Sequence, residues 1–250
     1  CGVYLPGLLR DVLPPGMFLN GGLYQVEYAL GRGGFGITYR AVHTNLEQPV
    51  AIKEFYPQEH VARDGTTGQV TVAPRKQDTF KKGVEKFMRE GRILAMLNHP
   101  HVIRVQNLFK ELGTAYLVME FVAGQTLRQV LDAYKKEEQP MPEEQVQTLL
   151  EQLVAALAAV HQAGVFHLDL KPENVLLTPD GQVRLIDFGA ARQGFGTTRS
   201  QAFTPDYAAP EVLAGRPVGP ESDIFELGMM LYEMLTGELP PSAFQRLLPG

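Results

Sequence analysis

The 250-residue sequence predicts an α+β chain in two parts, a strand-rich first part and a helix-rich second part that meet near residue 123. Three observations predict it. Residues 23–56 alternate apolar and polar side chains at the period of half-buried strands. Val146, Leu149, Leu150, Leu153, Val154, Leu157 and Val160 recur at i, i+3, i+4, i+7, the spacing of one helix face. The charge balance also reverses: residues 1–110 carry 14 Lys/Arg against 9 Asp/Glu, and residues 111–250 carry 9 against 19. Two surfaces of different character are expected from that reversal.

Each element follows in order. Residues 1–22, punctuated by "LPPG", read as a leader. "YQVEYALG", "GITYRAVH" and "PVAIKEF" predict three antiparallel strands. Residues 57–79 are polar with the turn signal "RDGTTGQ" and predict an excursion holding a small hairpin. Phe80, Val84, Phe87, Met88, Leu94 and Ala95 predict a helix from Phe80 to Leu97, and "VIRVQNLF" and "AYLVMEFV" two further strands. After Gly124 the pattern turns helical, with Pro142 near the start of the long helix. Short strands then frame "GVFHLDLKPENVLL" (164–177) and "QVRLIDFG" (182–189). A last helix is expected from about Ser222 to Thr236, where Gly237 and two prolines stop it.

Composition narrows the function class. With 44% hydrophobic and 20% charged residues the chain can build an ample core. No apolar run approaches 18 residues, the longest block being "LVAALAAV" at 153–160, so no transmembrane helix and no secretory signal are expected. The single cysteine, Cys1, excludes an intrachain disulfide framework and fits a reducing compartment, giving a cytoplasmic expectation. The net charge of −5 argues against general nucleic-acid binding.

The chemistry-bearing residues lie in separate segments. Gly31, Gly33 and Gly36 form G-x-G-x-x-G in "LGRGGFGITY", a weak signal alone in a chain with 25 glycines. The loop joins two strands rather than a strand and a helix, which disfavours a dinucleotide-binding turn. A hairpin whose glycines let backbone N–H groups approach closely suits phosphates, with a plain turn as the alternative. Lys53 sits inside an apolar strand and needs an anionic partner if buried, and Glu90 on the next helix is a candidate. Asp169 can accept a proton from an attacking hydroxyl, Lys171 can neutralise charge on a moving phosphoryl group, and Asn174 and Asp187 offer hard oxygens to Mg²⁺. His167 reads as a packed core histidine.

Taken in order, these motifs resemble those of a eukaryotic-like (Hanks-type) Ser/Thr protein kinase domain, and of its bacterial signalling members with a "GGFGITY" loop in particular. Matching are Gly31/Gly33/Gly36, Lys53, Glu90, "HLDLKPEN", "DFG" at 187–189 and "APE" at 209–211, with Asp223 in "SDIFELG". The resemblance covers residues 24 to about 240. It implies a bilobal protein-kinase-like fold: a leader (1–22), a small antiparallel-sheet lobe with one main helix (23–122, insertion at about 57–79) and a mostly helical lobe (123–250). It implies a phosphotransferase that uses ATP with Mg²⁺ or Mn²⁺ on protein Ser/Thr hydroxyls. Lys53, held by Glu90, would contact the α/β-phosphates beneath the loop of Gly31, Arg32, Gly33, Gly34, Phe35 and Gly36. Asn174 and Asp187 would hold the metal, Asp169 would orient the substrate hydroxyl and Lys171 would steady the γ-phosphate. Leu30, Thr38, Ala51 and Leu176 would sandwich the adenine, with Met119 as gatekeeper and hinge backbone at Glu120 and Val122. Asp223 would brace the catalytic loop, and Thr204 in "TPDYAAPE" matches the Ser/Thr class.

The sequence departs from the family in three places. Leu168 replaces an arginine that often precedes the catalytic aspartate, where it is neutralised by a phosphate on the activation segment. Activity without that phosphorylation, and autophosphorylation of Thr197, Thr198 or Ser200 as an option, are therefore expected. Lys53 and Glu90 lie 37 positions apart, an insertion followed by the basic run Arg75, Lys76, Lys81, Lys82, Lys86, Arg89. That run is either a docking surface for a regulatory partner (57–92) or a solvated helix face. The chain ends about 14 residues after the last predicted helix, so the second lobe reads as shortened, with Arg246 a candidate substitute partner for Glu211. A small-molecule phosphotransferase of the aminoglycoside-kinase type and a nucleotide-binding pseudokinase scaffold are the alternatives. Lys171 and "TPDYAAPE" weigh against the first and the intact Lys53, Asp169, Asn174 and Asp187 against the second.

Overall fold

The computed structural model describes residues 11–33, 36–188, 192–193 and 204–247. They form two compact units: residues up to Met96 together with Arg104–Phe121, and Leu97–Ile103 together with the chain from Val122 onward.

The first unit contains β1 (Phe18–Leu19), β2 (Tyr24–Gly33), β3 (Gly36–His43), β4 (Gln48–Phe55), a hairpin of β5 (Val61–Arg63) and β6 (Val70–Val72), α1 (Gln77–Leu94), β7 (Val105–Glu111) and β8 (Thr114–Glu120). Six strands make one antiparallel sheet in the order β1-β2-β3-β4-β8-β7. The period of two assigns its faces. Ile37, Tyr39 and Ala41 of β3 and Val50, Ile52 and Glu54 of β4 are buried on one face. Thr38, Ala51, Lys53 and Phe55 occupy the other. Helix α1 packs on this second face, with Gly83 against Phe55 and Gly91 against Leu108 and Leu117. A Cβ at Gly83 would lie 2.6 Å from the Phe55 ring, which explains a glycine inside a helix despite a propensity cost of about 1 kcal/mol.

The segment read as a leader contributes more than its composition implies. Leu13 and Leu19 are buried in the same core as Tyr39, Tyr56 and Val70. The hairpin expected within 57–79 is present, and the Val70 N–H donates to Leu112 O at 2.8 Å. It is tied down rather than free.

The second unit contains β9 (Gln125–Thr126), α2 (Leu127–Lys136), α3 (Glu143–Gln162), β10 (Val165–Phe166), a 3-10 turn (Pro172–Asn174), β11 (Val175–Leu177), β12 (Val183–Leu185), β13 (Arg192–Gln193), α4 (Pro210–Leu213), α5 (Pro220–Thr236) and α6 (Ala243–Leu247). The predicted apolar face of α3 is inward at Val146, Leu149, Leu153, Leu157 and Val160, and α3 packs on α5. Three boundaries differ from expectation. α1 starts at Gln77, because a 3-10 turn at Pro74–Lys76 already sets helical backbone. Val102 leaves the predicted strand to bridge Leu185 of the second unit, so β7 begins at Val105. The helix ending at Thr236 is not the last, since α6 follows after Pro240 and Pro241. No described helix is long and apolar enough to cross a membrane.

Candidate active site

The candidate residues fall into two groups, one in each unit. In the first unit the register pairs Gly33 with Gly36, Arg32 with Ile37 and Gly31 with Thr38. Gly34 and Phe35 lie outside the described residues. A Cβ on Gly36 would sit 2.4 Å from the Glu54 carbonyl oxygen, so packing alone demands glycine there. Gly31 and Gly33 differ: among the described residues nothing lies within 4 Å of an added Cβ. The described residues do not fill that space, which is the property expected of a cradle whose backbone must come close to a phosphate. Lys53 pairs with Thr38 and Leu117, and Ala51 with Met119, so Thr38, Ala51, Lys53 and Met119 share one face. Leu30 is largely exposed. The Glu120 N–H donates to Arg104 O at 3.0 Å.

Glu90 makes an ion pair with Lys86, one helical turn earlier, at 3.5 Å, and Lys53 is also among the cations whose charge acts on its carboxyl. Burial pushes the Glu90 carboxyl up to about 7, opposed by Lys86 and Arg89 and least by Lys53. The i, i+4 geometry brings Lys86 within reach without any movement of the helix. Arg32, in turn, directs its guanidinium to Asp11 at 3.0 Å.

One feature escaped the sequence reading altogether. Glu54, beside Lys53 but on the opposite face, is fully buried. It accepts from Tyr39 Oη at 2.8 Å, Tyr116 Oη at 2.9 Å and Arg63 at 2.6 Å, with the Arg63 side chain 1% exposed. Burial and then the Glu54 charge push both tyrosines well above the ordinary phenol range. Burial lowers the Arg63 pKa, but the hydrogen bond and charge of Glu54 outweigh it and the net shift is upward. The signal was present: Val50, Ile52 and Glu54 share the alternation of the apolar face.

In the second unit the loop after β10 carries three candidates, Asp169, Lys171 and Asn174, and meets a fourth, Thr204. Asp169 Oδ1 accepts from the Thr204 N–H at 3.0 Å and the Thr204 hydroxyl at 2.8 Å. Asp169 Oδ2 pairs with Lys171 Nζ at 2.8 Å and accepts from Asn174 Nδ2 at 3.2 Å. Lys171 Nζ also donates to Thr204 Oγ1 at 2.6 Å. Asn174, Asp169 and Lys171 therefore converge, as the motif spacing implied, and Thr204 joins them from a distant segment. The Ile186 N–H donates to Asn174 O at 2.9 Å, which ties the strand leading to Asp187 to the same loop. Asp187 itself adopts φ 56°, a strained setting for a non-glycine residue. Leu176 and Val122 are half-buried. Thr197, Thr198 and Ser200 lie outside the described residues.

The loop is held from below. Buried Asp223 accepts from the backbone N–H of His167 at 2.9 Å and of Leu168 at 2.8 Å, and contacts His161 Nε2 at 2.7 Å. Glu226 accepts from the Leu170 N–H at 2.7 Å. Burial, and then the neighbouring Asp223 charge, raise its carboxyl well above the usual range. These bonds hold Leu168 at φ 61°. His167 is buried and packs on Phe188 at 4.7 Å, a core histidine as expected. Leu168 packs with Phe166, Ala208, Ala209 and Val212.

Two more contacts bear on the second unit. Arg128 donates to Glu233 at 2.6 Å, to Glu173 at 2.8 Å and to Tyr207 Oη at 2.5 Å, a cluster that no sequence motif indicated. The expected Arg246–Glu211 substitute pair is not formed. Glu211 accepts from Ser222 Oγ at 2.5 Å, and Arg246 donates to Pro241 O at 2.8 Å, a partner within its own turn.

The donor chemistry fits a hard cation: Asn174 and Asp187 offer oxygen ligands, and Mg²⁺ prefers few protein oxygens with water completing its shell.

Comparison with known proteins points the same way. The family described as protein kinase domain matches residues 24–246. The chain is 35% identical over 239 residues to serine/threonine-protein kinase pkn2 of Myxococcus xanthus, covering 92% of this chain and 26% of that protein. It is 32% identical over 221 residues to serine/threonine-protein kinase PknL of Mycobacterium tuberculosis, covering 87% and 50%. The chain thus spans a quarter to a half of these relatives. A solved structure titled "PpkA-294 apo form" is similar with a TM-score of 0.80 and 31% identity, over 94% of this chain and 83% of that one.

Proposed function

This chain belongs to the protein kinase domain family, and from that premise we propose that it transfers the γ-phosphate of ATP to Ser/Thr hydroxyls of proteins. The observation that carries the proposal is the arrangement at Asp169. Its carboxylate already accepts a threonine hydroxyl at 2.8 Å while Lys171 stands on its second oxygen. A Ser/Thr acceptor presents the same chemical group. Asp169 would orient that hydroxyl and take its proton, and Lys171 would offset charge as it develops on the transferred group. Asn174 and Asp187 would hold Mg²⁺, which supplies neutralisation of the phosphate charge when bound. Lys53 would meet the phosphates beneath Gly31 and Gly33. Because phosphoryl transfer needs positioning more than covalent help, the bracing of this loop by Asp223 and Glu226 is part of the machinery.

The test is incubation with labelled ATP and Mg²⁺, with protein and small-alcohol acceptors side by side. Asp169→Asn is expected to lower transfer by roughly 10²–10⁴. Undiminished transfer in that variant, or transfer to small alcohols alone, would overturn the reading. The apolar packing of Leu168 against Ala208, Ala209 and Val212 supports activity without a phosphorylated activation segment. Replacing Thr197, Thr198 and Ser200 together by alanine should leave turnover within a few-fold of the parent, and its loss in a folded protein would sink that part. A regulatory partner at 57–92 would meet the exposed Lys81, Lys82 and Arg89.

A further inference from the structure

A single run of contacts crosses the face of the first sheet that lies away from α1. Asp11 Oδ2 pairs with Arg32 at 3.0 Å, and Asp11 O accepts from Arg63 Nε at 2.8 Å. Arg63 continues to Gly68 O at 2.8 Å and to Glu54 Oε2 at 2.6 Å. The Arg32 and Arg63 guanidiniums both lie over the Tyr56 ring, 5.8 and 4.8 Å from its centroid. Leu13, two residues after Asp11, is buried, and its N–H donates to Tyr39 Oη at 3.2 Å. The segment before the sheet is therefore anchored by its own side chain, by its backbone and by Arg63.

The two ends of this run matter. Arg32 lies between Gly31 and Gly33 at the end of β2, where no described residue would meet an added Cβ and glycine widens the backbone's conformational range. Glu54 adjoins Lys53 on β4. The Arg32 Nε and the Tyr56 hydroxyl have no hydrogen-bond partner among the described residues, so the Asp11 carboxylate is the acceptor that fixes the Arg32 guanidinium. We propose that Asp11, anchored by Arg63, is a positioning residue that holds the glycine turn in place relative to the strand carrying Lys53, so that triphosphate binding depends on the segment preceding the sheet. This rests on the kinase reading only for the ligand; the brace is a property of the fold. Ordering the turn beforehand spares part of the conformational entropy that binding would otherwise cost.

The test uses the full chain with Asp11→Ala, Arg32→Ala and the double variant. Mg-ATP and adenosine affinities are titrated, and amide exchange is followed at Gly31–Gly33 and Gly36. Asp11→Ala is expected to weaken Mg-ATP binding about two- to fivefold, the range of a partly exposed ion pair, and to speed exchange at the turn by a similar factor. Adenosine, which lacks phosphates, should bind as in the parent. The double variant should be no worse than Arg32→Ala alone, because both remove one interaction. Unchanged Mg-ATP affinity and exchange in a stably folded Asp11→Ala protein would overturn the brace, as would equal losses for adenosine and Mg-ATP. A parent protein that takes up no Mg-ATP would overturn the kinase reading instead, and exchange at the turn would then decide the brace alone.

Discussion

Glu54 in the first unit and Asp223 in the second are both fully buried carboxylates, but the groups that satisfy them differ in kind. Asp223 is met by two backbone N–H groups and a histidine, from the loop it braces and from α3. Glu54 is met by two tyrosines of its own sheet and by one guanidinium delivered from the 57–79 insertion. Backbone donors survive every substitution except proline, whereas Glu54 is met by side chains, of which Arg63 alone carries the compensating charge. The second unit is thus braced through its main chain at the place where phosphotransfer chemistry is proposed. The first is braced through a charge carried on an added hairpin.

The strongest way to break this contrast is Arg63→Met. It leaves the Glu54 carboxylate buried with hydroxyls alone, and we expect a loss of roughly 3–5 kcal/mol in urea unfolding. Adding Glu54→Gln should restore much of that loss, because no uncompensated charge remains. The matching change in the second unit, Asp223→Asn, keeps one acceptor oxygen and should cost about 1–3 kcal/mol. Its larger consequence should be kinetic: kcat falls as the Asp169 loop relaxes, while Mg-ATP affinity holds. If Asp223→Asn cost more stability than Arg63→Met, the contrast would be wrong.

The same contrast explains what could be read from sequence. The second-unit loop was legible because its residues lie within a few positions of one another. The spacing of Asp169, Lys171 and Asn174 places them together whatever the rest of the chain does, and Asp223 lies in a recognisable segment. The strands, the hairpin and the apolar face of α3 were legible from periodicity alone. Arg63 was not, because its partner lies on another strand and its own strand, β5, has only three residues, too few to show a period. The Arg128 cluster was missed for the same reason, as its partners Glu173 and Glu233 are 45 and 105 positions away. Alternation puts Glu54 on the buried face, but no motif marks it, whereas Lys53 beside it belongs to one. The Lys86–Glu90 ion pair went unread as well, because the motif names Glu90 and Lys53 but says nothing of a second lysine one turn earlier on the same helix.

Smaller effects sharpen the comparison within each unit. Glu90 titrates near 7 in the folded chain because it is buried, against about 4.5 for an ordinary glutamate. Below pH 4.5 it is protonated in folded and unfolded chains alike. Between there and about 7 the unfolded chain has released a proton that the folded chain retains, so stability falls as pH rises through this window. Glu90→Gln should match the parent near pH 4 and exceed it at pH 8, by on the order of 1–2 kcal/mol. Lys86→Met should push the carboxyl higher still, since Lys86 is the main group opposing burial. A parent protein whose stability is flat between pH 5 and 7 while Glu90→Gln behaves identically would contradict this account.

The smallest effect concerns the helix starts. α1, in the first unit, has no side-chain cap at Lys76 and relies on its packing against Phe55, Leu108 and Leu117. α2, in the second, begins with a full capping box: the Gln129 N–H donates to Thr126 Oγ1 at 3.2 Å, and the Thr126 N–H donates to Gln129 Oε1 at 2.9 Å. That box satisfies two backbone donors locally, so α2 should keep its first turn even when the packing around it loosens. Thr126→Ala should therefore cost about 1 kcal/mol and speed amide exchange in the first turn of α2 only. Ala73→Ser, which offers a side-chain cap to the 3-10 turn leading into α1, should stabilise the first unit by a few tenths to about 1 kcal/mol and leave the second unit's exchange unchanged. Should Thr126→Ala instead loosen the Asp169 loop, local capping and main-chain bracing would be one cooperative system, and the second unit would share the dependence on single side chains that the Glu54–Arg63 pair gives the first.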